Sequence, residues 1–170
     1  MASSLFSVVG KNVLVTGGSR GIGRMIAKGL AAAGANVLLT SRDPKACAEA
    51  ASDHPSMNYV VSNVSTRKGC EELAAAVDEV FAGQLHVLVN NAGASWGEPL
   101  ERDSKQNWGF DKVLDLNVKG IFYLTRACLP LLEKGADKED PARIINVGSV
   151  AGMVRCFLSH ASSNGPPNPF

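Results

Sequence analysis

Apolar residues along this chain come in short continuous runs, separated by longer stretches in which they recur every three or four positions. The first pattern marks buried strands and the second amphipathic helices. Asn12 to Val15 reads as a first strand, and Ile22 to Ala33 as a helix with Ile22, Ile26, Leu30 and Ala33 on its apolar face. Gly34 stands where a glycine ends a helix. Ala35 to Thr40 follows as a second strand, and its Val37-Leu38-Leu39 run is apolar on both faces, as in a parallel sheet. Pro44 to Ala51 reads as a short helix, Met57 to Val61 as a third strand, and Arg67 to Phe81 as a helix that aligns Leu73, Val77, Val80 and Phe81. Leu85 to Val89 is a fourth strand. A loop holding Trp96, Gly97 and Pro99 leads to a long helix, from about Asn107 to Leu132, with Leu114, Val118, Ile121, Phe122, Thr125 and Leu129 in line. Glu133 to Pro141 is charged and loop-like, and Ile144 to Val147 is a fifth strand.

Strand, helix and parallel strand within about 30 residues form a crossover unit, and its repetition predicts an α/β fold with an open, doubly wound parallel sheet. No further strand pattern follows the fifth. Ile144 to Val147 is then the last strand of the pattern. From Ser159 to Phe170 the composition turns to Ser, Asn, Gly and Pro without periodicity, which predicts a disordered coil.

Composition narrows the class. With 170 residues, 45% hydrophobic and 19% charged, the chain is expected to form one globular domain. Seventeen basic residues against 16 acidic give a net charge of +1, so neither a nucleic acid nor an acidic membrane is expected as a partner. The cysteines at 47, 70, 128 and 156 and the histidines at 54, 86 and 160 are scattered, which predicts reduced thiols and no metal site. The first residues lack a basic, apolar leader, and no segment reaches the ~18 apolar residues that span a bilayer. The expectation is a soluble cytoplasmic protein.

The chemistry concentrates in Thr16 to Gly23, Thr-Gly-Gly-Ser-Arg-Gly-Ile-Gly, between the first strand and the first helix. A strand that breaks into glycines and restarts as a helix presents backbone N–H groups and a helix N-terminus to one point, which favours phosphate. At this spacing Gly17 permits the turn, Gly21 lets a pyrophosphate approach the backbone, and Gly23 lets the helix pack closely on the sheet.

Four features in order then carry a resemblance: Thr16-Gly17-x-x-x-Gly21-x-Gly23, Asn90-Asn91-Ala92-Gly93, Asn117 within the long helix, and Ser149 just after the fifth strand. Over about residues 8 to 152 the chain resembles the classical short-chain dehydrogenase/reductase family. Arg143 to Gly152 and Ser95-Trp96-Gly97 look most like its 3-oxoacyl-[acyl-carrier-protein] reductases, including the rhamnolipid branch. The resemblance implies a Rossmann-type, NADP(H)-dependent oxidoreductase acting on a 3-oxoacyl group, carrier-bound or free, or on a similar ketone. It implies that Gly17, Ser19, Arg20, Gly21 and Ile22, bounded by Thr16 and Gly23, surround the pyrophosphate and adenosine ribose. Asn63, where Asp is more usual, and Val64 would lie near adenine. Asn90, Ala92 and Gly93, with Asn91 completing the motif, would reach the inner ribose, although such a motif also serves as a strand-ending turn that packs the sheet. The long helix, residues 107 to 132, would be a dimerisation surface.

An NAD site needs a carboxylate near the end of the second strand for the ribose 2′-hydroxyl, whereas NADP needs a cation for the 2′-phosphate. This strand ends Thr40-Ser41-Arg42, and Arg20 lies in the glycine loop, so two guanidiniums could hold the phosphate. Asp43 has a competing use as N-cap of a helix opening at Pro44.

In the family, a Ser orients the substrate carbonyl, a Tyr donates the proton, a Lys four residues later tunes it, and the helix Asn sustains a water relay. Ser149 and Asn117 match the first and last. The tyrosines are Tyr59 and Tyr123, neither followed by Lys at the fourth position, and the expected place reads Ala161-Ser162-Ser163. The family's sheets carry two further strands and the helix that bears the Tyr and Lys, so the resemblance implies a doubly wound sheet incomplete at its C-terminal edge, with Ile144 to Val147 exposed there and one flank of the long helix uncovered. Residues 8–152 are thus expected to form a partial NADP-binding domain, and 153–170 a divergent ending on a truncated reductase. Alternatives are an inactive nucleotide-binding or dimer-partner module, and a chain that does not fold stably.

Overall fold

The computed structural model describes residues 6–96 and 108–150. Five strands form one sheet: β1 (Asn12–Thr16), β2 (Asn36–Ser41), β3 (Met57–Val61), β4 (Val87–Asn90) and β5 (Arg143–Asn146). Helices α1 (Gly21–Ala32), α2 (Pro44–Ala51) and α3 (Arg67–Val80) connect the first four strands, and α4 (Trp108–Leu114) and α5 (Ile121–Gly135) precede the last. All pairings are parallel, in the order β3-β2-β1-β4-β5. This is the doubly wound α/β sheet that the sequence pattern predicts.

Alternation along the strands divides the core. Leu14, Leu38 and Leu88 face α3 and α5, where Leu73, Val77, Leu124, Cys128 and Leu132 are buried. Val13, Val15, Val37, Leu39, Val87 and Val89 face Ala27 and Ala31 of α1 and Cys47 and Ala50 of α2. The three central strands are thus apolar on both faces. Among the described residues, β5 pairs only with β4, and Ile144 and Ile145 are exposed on it.

Three helical faces differ from the sequence expectation. On α1 the buried positions are Gly23, Ala27 and Ala31; Ile26 and Leu30 flank them, while Ile22 and Ala33 are exposed. Large apolar residues dominate a periodicity count, but this helix lies too close to the sheet for them. A Cβ on Gly23 would overlap the Gly17 carbonyl. On α3 the buried face is Gly69, Cys70, Leu73, Ala74 and Val77, with Val80 exposed and Phe81 half-buried against the core.

The expected long helix contains a π-helical segment, Asp115–Gly120, and continues through Pro130 to Gly135. The i→i+5 bonding of that segment adds a residue to the turn and rotates the helix beyond it. Within α5 the buried face is Leu124, Cys128, Leu131 and Leu132, while Phe122 and Leu129, like Val118 in the π segment, are exposed. The expected start at Asn107, the loop positions Gly97 and Pro99, Cys156, His160 and the tail from 153 lie outside the described residues. Among those residues no helix is long and apolar enough to cross a membrane, and no group of three or more His, Cys, Asp or Glu is placed to hold a metal.

Helix termini follow local chemistry. The Gly34 backbone, at φ 94°, turns the chain off α1. Its N–H donates to Ala31 O (3.0 Å) and the Ala35 N–H to Leu30 O (3.0 Å), closing a Schellman motif. Asp43 caps α2 by accepting from the N–H groups of Lys45 (3.0 Å) and Ala46 (3.2 Å) ahead of Pro44.

Polar groups at the N-terminal end of the sheet join β1, β4 and β5. His86 Nδ1 accepts from the Asn12 N–H (3.0 Å), and Asp140 pairs with Lys11 and with Arg143 (2.8 Å). Burial first, then Lys11, lowers the His86 pKa below the ordinary imidazole value, while Asp140 opposes the shift. The hydrogen bonds from Lys11 and then Arg143 lower Asp140 to about 2. A lowered His86 contributes stability that is complete above its unfolded pKa of about 6.5 and is lost as pH falls through the folded value. Asp140 loses its contribution only between about 4 and about 2, below that window. The melting midpoint should therefore decline as pH falls below about 6.5, and His86→Asn, which retains an acceptor without titrating, should flatten that decline. An unchanged pH profile in the variant would refute the assignment.

Candidate functional site

The sheet order places β1 beside β4, while the chain runs from β1 outward to β2 and β3 and only then returns to β4. A crevice opens outside the C-terminal ends of strands at such a reversal. Here the two strand ends are locked together. Thr16 Oγ1 accepts from the N–H groups of Asn91 (3.0 Å) and Ala92 (3.0 Å) and donates to Val89 O (3.3 Å). In return Asn91 Nδ2 donates to Thr16 O (3.0 Å) and Gly17 O (3.3 Å).

From that lock the glycine loop turns into α1. Gly17 and Gly21 have φ of 64° and 53°, a region that side chains with a Cβ rarely occupy. The Gly18 N–H donates to Thr40 O (3.2 Å), which ties the loop to the end of β2. Arg20 is the N-cap of α1 and makes no side-chain capping bond, whereas α2 and α3 are capped by Asp43 and Thr66.

The crevice is a cleft of about 1230 Å³. One wall is Gly17, Ser19 and Arg20 of the loop with Thr40, Ser41 and Arg42 from the end of β2; another is Ser62, Asn63, Val64 and Ser65; the third includes Asn91, Ala92, Gly93 and Ala94. Arg20 and Arg42 are exposed and, among the described residues, have no ion pair. Arg24, one turn further along α1, is engaged by Asp53 (2.8 Å) and Glu49 (2.9 Å). Those hydrogen bonds, Asp53 first, raise its pKa beyond the ordinary arginine value. Of these three arginines, the two at the cleft are therefore the ones without a carboxylate partner among the described residues.

Several expected site residues lie elsewhere. Thr16 sits beneath the cleft with its hydroxyl engaged by β4 and its following turn. The buried Asn90 amide donates to Asn146 Oδ1 (2.9 Å) and Thr125 Oγ1 (3.4 Å), away from the cleft wall. Gly21, Ile22 and Gly23 shape the loop without lining the cavity. Asn63 Oδ1 accepts from the Ser65 N–H (3.2 Å) and Ser65 Oγ (2.8 Å), so its amide NH₂ is the end without a hydrogen bond among the described residues. Asn117 lies in the π segment and clamps Ala94 from both sides, accepting from its N–H (2.9 Å) and donating to its carbonyl (2.8 Å). Ser149 is exposed after β5, at the same end of the sheet but outside the cleft wall.

The cleft also contains residues that spacing did not single out: Thr40, Ser41, Asp111, Lys112, Asp115 and Leu116. Trp96 lies on the Gly109 backbone, where a Cβ would overlap its ring, and Lys112 Nζ stands 5.0 Å from the ring centroid. The glycine at 109 was the available signal, but only contact with the loop gives it meaning.

Because Thr16 satisfies two backbone donors at once, Thr16→Val should destabilise the fold by about 2–4 kcal/mol and Thr16→Ser by much less. Urea unfolding measures the difference, and a Thr16→Val loss below about 0.5 kcal/mol would show that the lock is unimportant.

Comparison with known proteins agrees with this geometry. The family described as short chain dehydrogenase matches residues 11–162. The rhamnolipids biosynthesis 3-oxoacyl-[acyl-carrier-protein] reductase of Pseudomonas aeruginosa is 47% identical over 151 residues, covering 87% of this chain and 58% of that protein. The structure of the Pseudomonas aeruginosa RhlG/NADP active-site complex superposes with a TM-score of 0.83 at 46% identity, covering 89% of this chain and 59% of the other. A 3-ketoacyl-(acyl-carrier-protein) reductase from Brucella melitensis, complexed with NADH, gives 0.76 at 29% identity, covering 85% and 60%. The chain therefore spans somewhat under two thirds of the length of these relatives. On the glycine loop, the parallel sheet and the match over residues 11–162, the chain belongs to the short-chain dehydrogenase family.

Proposed function

We propose that this chain binds NADPH in the cleft and is the cofactor-holding part of a reductase acting on 3-oxoacyl groups, carrier-bound or free, or on similar ketones. The observation that carries the cofactor choice is the charge arrangement at the end of β2. Arg20 and Arg42 are open, and Asp43, which also lines the cleft, has its Oδ1 engaged as the cap of α2, so two guanidiniums stand beside one partly engaged carboxylate. Two planar guanidiniums suit a dianionic 2′-phosphate. The uncapped N-terminus of α1 and the Gly17–Gly21 turn suit the pyrophosphate, with Ser19 beside it. The related structure solved with NADP supports the same choice.

Bound NADPH supplies a hydride donor; the residues of this chain position it. Asn63 and Val64 border the adenine end, and Ala92 and Gly93 the inner ribose end. Thr16, Asn91 and Gly23 act indirectly by fixing the turn, and Asn117 does so by holding Ala94. Ser149 is the substrate-orienting candidate. Tyr59 lies on β3 and Tyr123 packs against the core from α5, so neither is placed as a proton donor at the cleft. The chain should bind NADPH without oxidising it. The buried, reduced cysteines at 47, 70 and 128 suit a cytoplasmic setting.

A second reading, a dimer-partner module, rests on Phe110, Val118, Phe122 and Leu129, which are exposed along α4, the π segment and α5. Sedimentation equilibrium tests it: a dimer that Phe122→Asp dissociates is the expected result, and a monomer at all concentrations removes the reading.

Calorimetric titration tests the first. The 170-residue chain should bind NADPH far more tightly than NADH, and Arg42→Ala should weaken NADPH roughly ten- to hundred-fold while leaving NADH nearly unchanged. Equal affinity for both cofactors would overturn the charge argument.

A further inference from the structure

We propose that the Thr40 side chain is a ligand contact of the cleft, hydrogen-bonding the adenosine half of a bound dinucleotide. The proposal rests on the reading of the cleft as an NADPH site.

Thr40 is 1% exposed, and its Oγ1 is the buried side-chain polar atom that, among the described residues, has no hydrogen-bond partner. The neighbouring hydroxyls differ in this respect. Thr16 Oγ1 serves Asn91, Ala92 and Val89; Ser62 Oγ donates to Gly69 O (3.0 Å); Ser65 Oγ donates to Asn63 Oδ1 (2.8 Å). A buried hydroxyl without a partner destabilises the ligand-free fold, and valine would fill the same volume without that penalty. The rest of the β2 interior, Val37, Leu38 and Leu39, is aliphatic. The hydroxyl at the next position therefore has a use that packing does not supply.

Its position identifies the use. Strand alternation puts Thr40 on the sheet face of Leu38, the face on which Val64 and Ala92 meet the core, and all three residues at 40, 64 and 92 line the cleft. The Thr40 carbonyl holds the Gly18 N–H, which fixes the backbone beside the glycine loop. Arg42 lies two residues onward at the mouth. A ligand with phosphate at the loop and at Arg42, and a base between Asn63 and Ala92, passes its ribose and the base edge over Thr40. Both carry hydrogen-bond acceptors to which a threonine hydroxyl can donate.

The test uses the 170-residue chain and its Thr40→Val and Thr40→Ser variants. The melting midpoint is measured without ligand, and affinity is measured calorimetrically for NADPH and for adenosine 2′,5′-bisphosphate, which is the adenosine half alone. Thr40→Val should raise the ligand-free midpoint by about 2–5 °C and weaken both ligands about five- to tenfold. Thr40→Ser should retain most of the affinity, which separates the lost hydroxyl from altered packing. A Thr40→Val chain that binds both ligands as tightly as the parent overturns the Thr40 assignment alone. A parent chain that binds neither ligand overturns the NADPH reading, and this assignment with it.

Discussion

The close backbone contact between the start of α1 and the end of β1 is the constraint on which the other features depend. Gly23 lies so near the Gly17 carbonyl that no side chain fits between them, and the small residues Ala27 and Ala31 continue that contact along the sheet. The closeness aims the α1 N-terminus at the crevice, and Arg20 at the N-cap, whose side chain has no acceptor, leaves it without a side-chain cap. The closeness also brings Thr16 and Asn91 into mutual hydrogen bonding, so the two strands flanking the crevice end at one level. A bulkier residue at 23 would move the helix, and with it Arg20, away from the opening.

Charge is arranged around the same geometry. Arg20 and Arg24 are a turn apart on one helix, yet only Arg24 has carboxylates facing it, from α2 and the segment after it. That network joins α1 to the α2 region, whose N-terminal end follows Arg42 directly. Arg20 and Arg42 therefore sit on elements that are braced against one another, and their separation is set by the scaffold. Asp43 contributes by having its charge directed into backbone N–H groups, where it opposes the neighbouring cation less than a free carboxylate would.

Much of this was legible in the sequence, and the exceptions have physical causes. Pro44–Ala51 and Met57–Val61 begin and end where the pattern places them, because a capped proline start and a short apolar run leave little ambiguity. The α1 face was misread because the burial there belongs to glycine and alanine, which add little to an apolar periodicity. Phe122 and Leu129 share a face of α5, but the core takes the neighbouring face of Leu124, Cys128, Leu131 and Leu132, and Val118 lies in a π segment whose winding the regular period does not describe. The glycine loop and the two arginines were readable from local spacing. Thr40 was not, because its significance depends on a missing partner that only three-dimensional packing reveals. Thr16 and Asn90 were expected at the cofactor, but each directs its polar groups into strand junctions.

The π segment has one more consequence. Gly120 abuts the Val64 carbonyl on one side of the segment, where a Cβ would overlap it, and Asn117 grips Ala94 on another. The widened turn lets a single helix meet both restraints while Leu124 and Cys128 stay buried further along. Loss of one residue between 115 and 120 would permit ordinary helical winding and could leave α5 in place, but it would swing Asn117 about a quarter-turn around the axis. The helix thus carries a one-residue vernier, and a change in chain length too small to disturb the core is enough to disengage the loop at the mouth of the cleft.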